Sequence, residues 1–188
     1  PVPTNNEVEA QFASIGAWGK SQIWEQNSGI LSLTRTATNA LMWAHYADKH
    51  RGAVLEISTS AAGFLDQNVN MIPAHFGSVV YTRHRPSGPY YSNFEQGIVV
   101  GETHNFVLDH YEKWQRLFLV KPIDWAYEEE VRVVKCLRNL STEGEASNES
   151  GTFSAIDVGS DQPLHCFKLP EGAITKVYLG ARIGNEER

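Results

Sequence analysis

The sequence predicts an α+β fold with mixed, mainly antiparallel sheets and few helices. Segments that read as strands outnumber segments with helical periodicity, and the chain contains no internal repeat. Its 188 residues, of which 41% are hydrophobic, suffice for one core of ordinary size. We therefore expect a single domain over residues 1–188.

The first half of the chain is predicted to contain a strand, a short helix and a second strand. These elements are expected at residues 30–34, 39–48 and 53–57. Thr36 or Thr38 is the expected N-cap of the helix, and Gly52 ends it. Because this unit is so short, we expect both strands to belong to one sheet. Farther upstream, the spacing of Val8, Phe12 and Ile15 indicates another short helix.

The second half is predicted to be dominated by strands around one longer helix. Strands are expected at residues 78–82, 128–137, 153–158, 164–169 and 173–179, and a helix at residues 103–120, ended by Pro122. Residues 139–151 are polar and are expected to form an exposed or disordered loop.

Composition limits the classes of partner. The formal charge of −6 argues against a broad electrostatic footprint for duplex nucleic acid. No apolar run approaches the roughly 20 residues that cross a bilayer, so we expect no membrane partner. The two cysteines are too few for a disulfide framework, which favours a reducing, cytoplasmic location.

Two stretches carry residues with useful chemistry. In the helix at residues 41–47, Trp43 and Tyr46 share a broad face that either packs in the core or walls a pocket for flat rings. In the predicted strand from residue 128, alternation places Glu128, Glu130 and Arg132 on one side and Tyr127 on the other. Arg132 is then close enough to hold Glu130 ionised. The alternatives for this face are a solvated ion pair and a catalytic carboxylate.

The chain resembles an uncharacterised bacterial domain family. The resemblance rests on the patterns MW-x-HYA at residues 42–47, K-x3-W-x-YE-x-E-x-R at residues 121–132 and I-x-x-V-x-LG at residues 174–180. The order of parts is also similar to that of ADP-ribosyltransferases, in which a strand, a short aromatic helix and a strand near a glycine precede a strand opened by the catalytic glutamate.

This second resemblance implies an ADP-ribosyltransferase-like fold and NAD as the substrate cofactor. The implied catalytic residues are Glu130, Glu128 and Ser32, and the implied cofactor-binding residues are Thr34, Arg35, Trp43, His45, Tyr46, Tyr127 and Arg132. Glu130 would hold the ribose 2′-hydroxyl and stabilise the positive charge that develops when nicotinamide leaves. Glu128 would orient the nucleophile. The helix start near Asn39 is a further candidate for binding the pyrophosphate.

The implied reaction transfers ADP-ribose to a protein, a nucleic-acid base or water, and the family context suggests a toxin of bacterial conflict or phage defence. One departure from the superfamily is the absence of its first motif, a His or Arg before Gly29. Either an N-terminal segment that completes the site is missing from this chain, or the activity is altered or lost.

Two further functions remain open. A sensor module would keep the pocket and bind a ligand without chemistry. A metal-dependent nuclease would use Asp124 and Glu130 to hold Mg²⁺ beside Arg132, although a lysine is usual at that basic position. The histidines are scattered, and we expect no metal site.

Overall fold

The structure is a computed structural model that describes residues 27–84, 86, 105–137, 145–148, 151–159 and 164–184. The short helix predicted around Val8, Phe12 and Ile15 lies outside the described residues. Among the described residues, no helix is long and apolar enough to span a membrane.

The described chain contains nine strands, two α-helices and several short 3-10 helices. The strands are β1 (Ser28–Thr34), β2 (Ala53–Ile57), β3 (Val80–Thr82), β4 (Val120–Pro122), β5 (Glu130–Cys136), β6 (Glu145–Asn148), β7 (Gly151–Ile156), β8 (Leu164–Phe167) and β9 (Ile174–Leu179). The α-helices are α1 (Ala40–Tyr46) and α2 (Tyr111–Phe118), and the 3-10 helices are Asp48–His50, Ala74–Phe76, Leu108–His110 and Ile123–Glu128.

The strands form small sheets that are mostly antiparallel. β1 pairs with β5, β2 with β9, and β7 with both β6 and β8, all antiparallel, whereas β3 and β4 are parallel. The prediction of an α+β chain with mainly antiparallel sheets and few helices is thereby confirmed. The expectation that β1 and β2 share a sheet is wrong, because each pairs with a strand from the second half of the chain.

Several element boundaries differ from the predicted ones. The N-cap of α1 is Asn39, whose side chain accepts hydrogen bonds from the backbone of Leu41 and Met42, and not Thr36 or Thr38. Helix α2 ends at Phe118, well before Pro122, because the chain then pairs with β3 as a strand. Residues 145–148, within the predicted loop, form β6.

Strand β5 lies between two hydrophobic clusters. Val131 and Val133 pack with Phe64 and Ala74 on one side. On the other side, Val134 packs in a cluster that also contains Met71, Ile72, Trp114, Phe118, Leu119 and Cys136. Because side chains alternate along a strand, Glu130 and Arg132 lie on the same side as Val134. The two charged residues thus continue a buried face rather than a solvated one.

Candidate functional site

The pairing of β1 with β5 brings four of the predicted site residues to one face. Thr34 lies opposite Glu130, and Ser32 lies opposite Arg132. Residues directly opposite each other in an antiparallel pair project to the same side of the sheet. Ser32, one pair along from Glu130 on this face, helps to lower the pKa of the Glu130 carboxyl group. The proposed second-motif serine and the proposed catalytic glutamate are therefore neighbours on one face of the sheet.

Glu128 reaches the same site from a 3-10 helix, not from the strand that the sequence predicted. The strand begins only at Glu130, because Glu129 adopts a left-handed conformation with φ of 46°. The Thr34 hydroxyl donates to the Glu128 carbonyl oxygen over 2.7 Å, and the Asn39 side-chain amide donates to the Tyr127 carbonyl oxygen over 2.7 Å. The end of β1 and the start of α1 thus hold this 3-10 helix in place.

The two carboxylates share one ammonium group. Lys121 Nζ donates to Glu128 Oε2 and, over 3.0 Å, to Glu130 Oε2. Arg132 binds Glu130 through both Nε and Nη2, at 2.8 and 3.2 Å. Glu128 is 3% and Glu130 is 5% exposed, so neither carboxylate is a surface group. The network contains two negative and two positive charges and is balanced, as buried ions require.

The network alters the ionisation of its members. Burial raises the pKa of Glu130, but hydrogen bonds from Arg132, Ser32 and Lys121 outweigh burial and lower its pKa to about 2. Burial lowers the pKa of Lys121, and its bonds to Glu128 and Glu130 more than reverse this, so that the Lys121 pKa is raised. Glu130 is therefore a carboxylate at neutral pH, as the arginine beside it predicts.

Aromatic side chains surround the network on the exposed side. The Tyr46 hydroxyl donates to Glu128 Oε1 over 2.8 Å, which raises the pKa of the Tyr46 phenol, yet 62% of the residue is exposed. Lys121 Nζ lies 5.2 Å from the centre of the Trp125 ring, and Trp125 is itself exposed. The rings of His45 and Tyr127 are 6.3 Å apart. Tyr46 and Trp125 thus contact the charged network from its exposed side.

Trp43 is placed differently from Tyr46 although both lie on α1. Trp43 is only 9% exposed, its ring nitrogen donates to the Ala37 carbonyl oxygen over 2.7 Å, and its ring stacks on that of His50. These contacts match the core alternative for this residue. Tyr46, by contrast, is exposed and contacts the network through its hydroxyl.

Arg35 points to a different part of the surface. Its Nη2 donates to the Ser78 hydroxyl over 2.6 Å. A groove of about 740 Å³ between β1 and β2 is lined by Arg35 together with Ser32 and Thr34. Glu128 and Glu130 are not among the residues that line this groove. The predicted residues therefore divide into the glutamate network and a neighbouring groove, joined by the end of β1.

Two residues of the network were not among the predicted site residues. Lys121 bridges the glutamates, and the Tyr81 hydroxyl accepts a hydrogen bond from the Glu130 backbone NH over 2.8 Å. The sequence could have indicated Lys121 as a site residue, because it is the first residue of the K-x3-W-x-YE-x-E-x-R pattern. Nothing in the sequence around Tyr81 points to the site, because its contact depends on the bonding of residues 78 and 79 to the start of β5.

The residues around Glu130 are arranged unlike a metal centre. Over the described residues, no three His, Cys, Asp or Glu side chains are grouped so that they could hold a metal ion. The space between Glu128 and Glu130 is occupied by the Lys121 ammonium, which supplies the positive charge that Mg²⁺ would supply in a nuclease. A divalent cation would have to displace this side chain.

Comparison with known proteins yields one family. The profile described as "Protein of unknown function (DUF2971)" matches residues 42–133, just under half of the chain. The matched region includes Lys121, Glu128, Glu130 and Arg132 but not β1. No curated protein and no solved structure matches the chain. The family to which residues 42–133 are similar is thus one whose description states no activity.

Proposed function

We propose that this chain is an ADP-ribosyltransferase-like enzyme that cleaves the nicotinamide glycosidic bond of NAD. One observation carries the proposal: Glu130 is a buried carboxylate on the same face of the sheet as Ser32 and is linked through Lys121 to Glu128. These are the three residues to which the resemblance assigns catalysis. The proposal includes an ADP-ribosyltransferase-like fold for this chain.

The chemistry requires a stable negative charge beside the ribose. When the bond between ribose C1′ and the nicotinamide nitrogen breaks, its electron pair leaves with neutral nicotinamide and positive charge develops on the ribose. A carboxylate that is already ionised and held in place stabilises that charge without reorganising. With a pKa of about 2, Glu130 is suited to this task at neutral pH.

The remaining groups have roles that follow from their positions. Glu128 would orient the nucleophile and accept its proton as the new bond to C1′ forms. Tyr46 and Trp125, both exposed beside the network, would stack against the nicotinamide ring. Arg35, at the neighbouring groove, would bind phosphate oxygens, whereas Arg132 is fully engaged with Glu130 and the Phe118 carbonyl oxygen. The acceptor is a macromolecule or water, and a role as a toxin in bacterial conflict or phage defence belongs to this proposal.

The test is nicotinamide release from NAD by the wild-type chain and three single variants. Glu130→Gln should abolish release and Glu128→Gln should reduce it strongly, since each replaces a carboxylate by a neutral amide of similar shape. Glu129→Gln is the matched control, because Glu129 lies between the two but is exposed on the left-handed turn. Release should survive a chelator. A folded wild-type chain that releases no nicotinamide, or release that Glu130→Gln leaves unchanged, would contradict the proposal.

A binding module without turnover is the second candidate. It is favoured by the complete pairing of both carboxylates with Lys121, Arg132 and Tyr46, which leaves them satisfied in the absence of a ligand. Titration calorimetry with NAD separates the two candidates. Saturable binding without nicotinamide release would support the module, whereas release would support the enzyme.

A further inference from the structure

Lys121 occupies a central position that neither the proposed mechanism nor the family description explains. It lies on β4, and among the described residues its ammonium is the one side-chain group that bonds to both carboxylates of the network. Glu130 has a second cationic partner, Arg132, whereas the other polar partner described for the Glu128 side chain is the Tyr46 hydroxyl. The two carboxylates therefore depend on Lys121 to different degrees.

We propose that Lys121 is the positioning residue of this site, which keeps Glu128 and Glu130 together as two adjacent carboxylates at neutral pH. The inference rests on the proposed function and deepens it, since that mechanism needs both carboxylates charged. Lys121 acts through the glutamates and not on the substrate.

The physical reason is the cost of placing two like charges in one buried site. Two carboxylates that share such a site cannot both stay ionised unless a cation lies between them, and without the cation the pair binds a proton at higher pH. The ionisable groups that face the pair come from every surrounding element: Tyr46 on α1, Tyr81 on β3, Lys121 on β4 and Arg132 on β5. Tyrosines are neutral below their high pKa, so in the described part of the chain removal of Lys121 leaves Arg132 as the single cation that contacts the two carboxylates.

The experiment compares Lys121→Met, Lys121→Arg and Lys168→Met. Lys168 is exposed and lies outside the network, so its variant controls for the loss of one lysine charge. Carbon-13 NMR of the glutamate carboxyl groups, assigned with Glu128→Gln and Glu130→Gln, measures protonation directly. The pH profile of nicotinamide release is measured in parallel.

In Lys121→Met, the proton uptake of the pair and the acidic limb of the activity profile should both move up by about 1–3 pH units. Lys121→Arg should restore both, and Lys168→Met should leave both unchanged. A purely structural lysine would change the unfolding midpoint without moving either titration. If Lys121→Met does not fold, Lys121→Gln, which keeps one amide donor, should show the same upward shift.

An unshifted carboxyl titration in a folded, uncharged variant at position 121 would overturn the inference. Its failure is distinguishable from the failure of the proposed function. If the wild-type chain releases no nicotinamide, the proposed function fails, but the carboxyl titration still decides whether Lys121 holds the pair ionised.

Discussion

Acid should lower the free energy of unfolding of this protein by protonating Glu130. The pKa of Glu130 is about 2 in the folded chain, against the ordinary glutamate value of 4.5. This difference corresponds to about 3 kcal/mol of stabilisation at neutral pH. Because the folded pKa is the lower one, the unfolded chain binds the proton first. The stabilisation is therefore complete above pH 4.5 and declines as the pH falls toward 2.

The magnitude at intermediate pH follows from the same two pKa values. At about pH 3, the linkage relation leaves about 1 kcal/mol of this stabilisation, so about 2 kcal/mol is lost between neutral pH and that point. Other carboxyl groups titrate over the same range. The informative quantity is therefore the difference in free energy of unfolding between the wild type and Glu130→Gln, in which contributions from distant groups cancel.

Urea unfolding followed by tryptophan fluorescence supplies this difference at each pH. The stability advantage of the wild type over Glu130→Gln should shrink by about 2 kcal/mol between about pH 7 and about pH 3. Glu129→Gln, which removes an exposed carboxylate outside the network, is the matched control. An advantage over Glu130→Gln that does not change with pH would refute the reasoning, since it would mean that Glu130 titrates alike in the folded and unfolded chains.

Two further predictions concern the backbone that positions the site, and both are measured by thermal and urea unfolding. Asn39→Ala should lower the free energy of unfolding by about 1–2 kcal/mol, because it removes the N-cap and the bond to the Tyr127 carbonyl oxygen. Asn39→Asp keeps the cap acceptor and should lower the free energy of unfolding less. Equal losses in the two variants would show that the cap contributes nothing. Gly77→Ala should lower the free energy of unfolding by about 3 kcal/mol or more, because an added Cβ would lie 1.9 Å from the Arg132 carbonyl oxygen. In Gly172→Ala the added Cβ meets no neighbour, so the loss should be only about 1 kcal/mol, caused by the positive φ. A similar loss at both glycines would contradict the close approach at Gly77.

Local patterns in the sequence predicted the elements that carry the site. The apolar run at residues 30–34, the helix at residues 40–46 and the strand at residues 53–57 all form close to where they were expected. The contact between Arg132 and Glu130 was also predictable, because residues two apart on a strand project from the same face at a fixed spacing. These features depend on periodicity and nearest neighbours, which are present in the sequence itself.

Other features depended on contacts between distant segments. Asn39 rather than Thr36 or Thr38 caps α1, and its side-chain amide also binds the Tyr127 carbonyl oxygen, 88 residues away. Of the predicted helix at residues 103–120, only Tyr111–Phe118 is α-helical, and its end gives way to a strand because β3 is there to pair with it. Helix propensity and N-cap preference are weak compared with such tertiary contacts.

The sequence by itself determined the α+β class, the pair of glutamates and the arginine that keeps Glu130 ionised. Only the tertiary structure decided that β1 pairs with β5, that Glu128 turns inward from a 3-10 helix, and that Lys121 lies between the two carboxylates. The physical reason is that a buried charge must find its counter-charge in space, and which residue supplies it depends on strand pairing that no local pattern encodes.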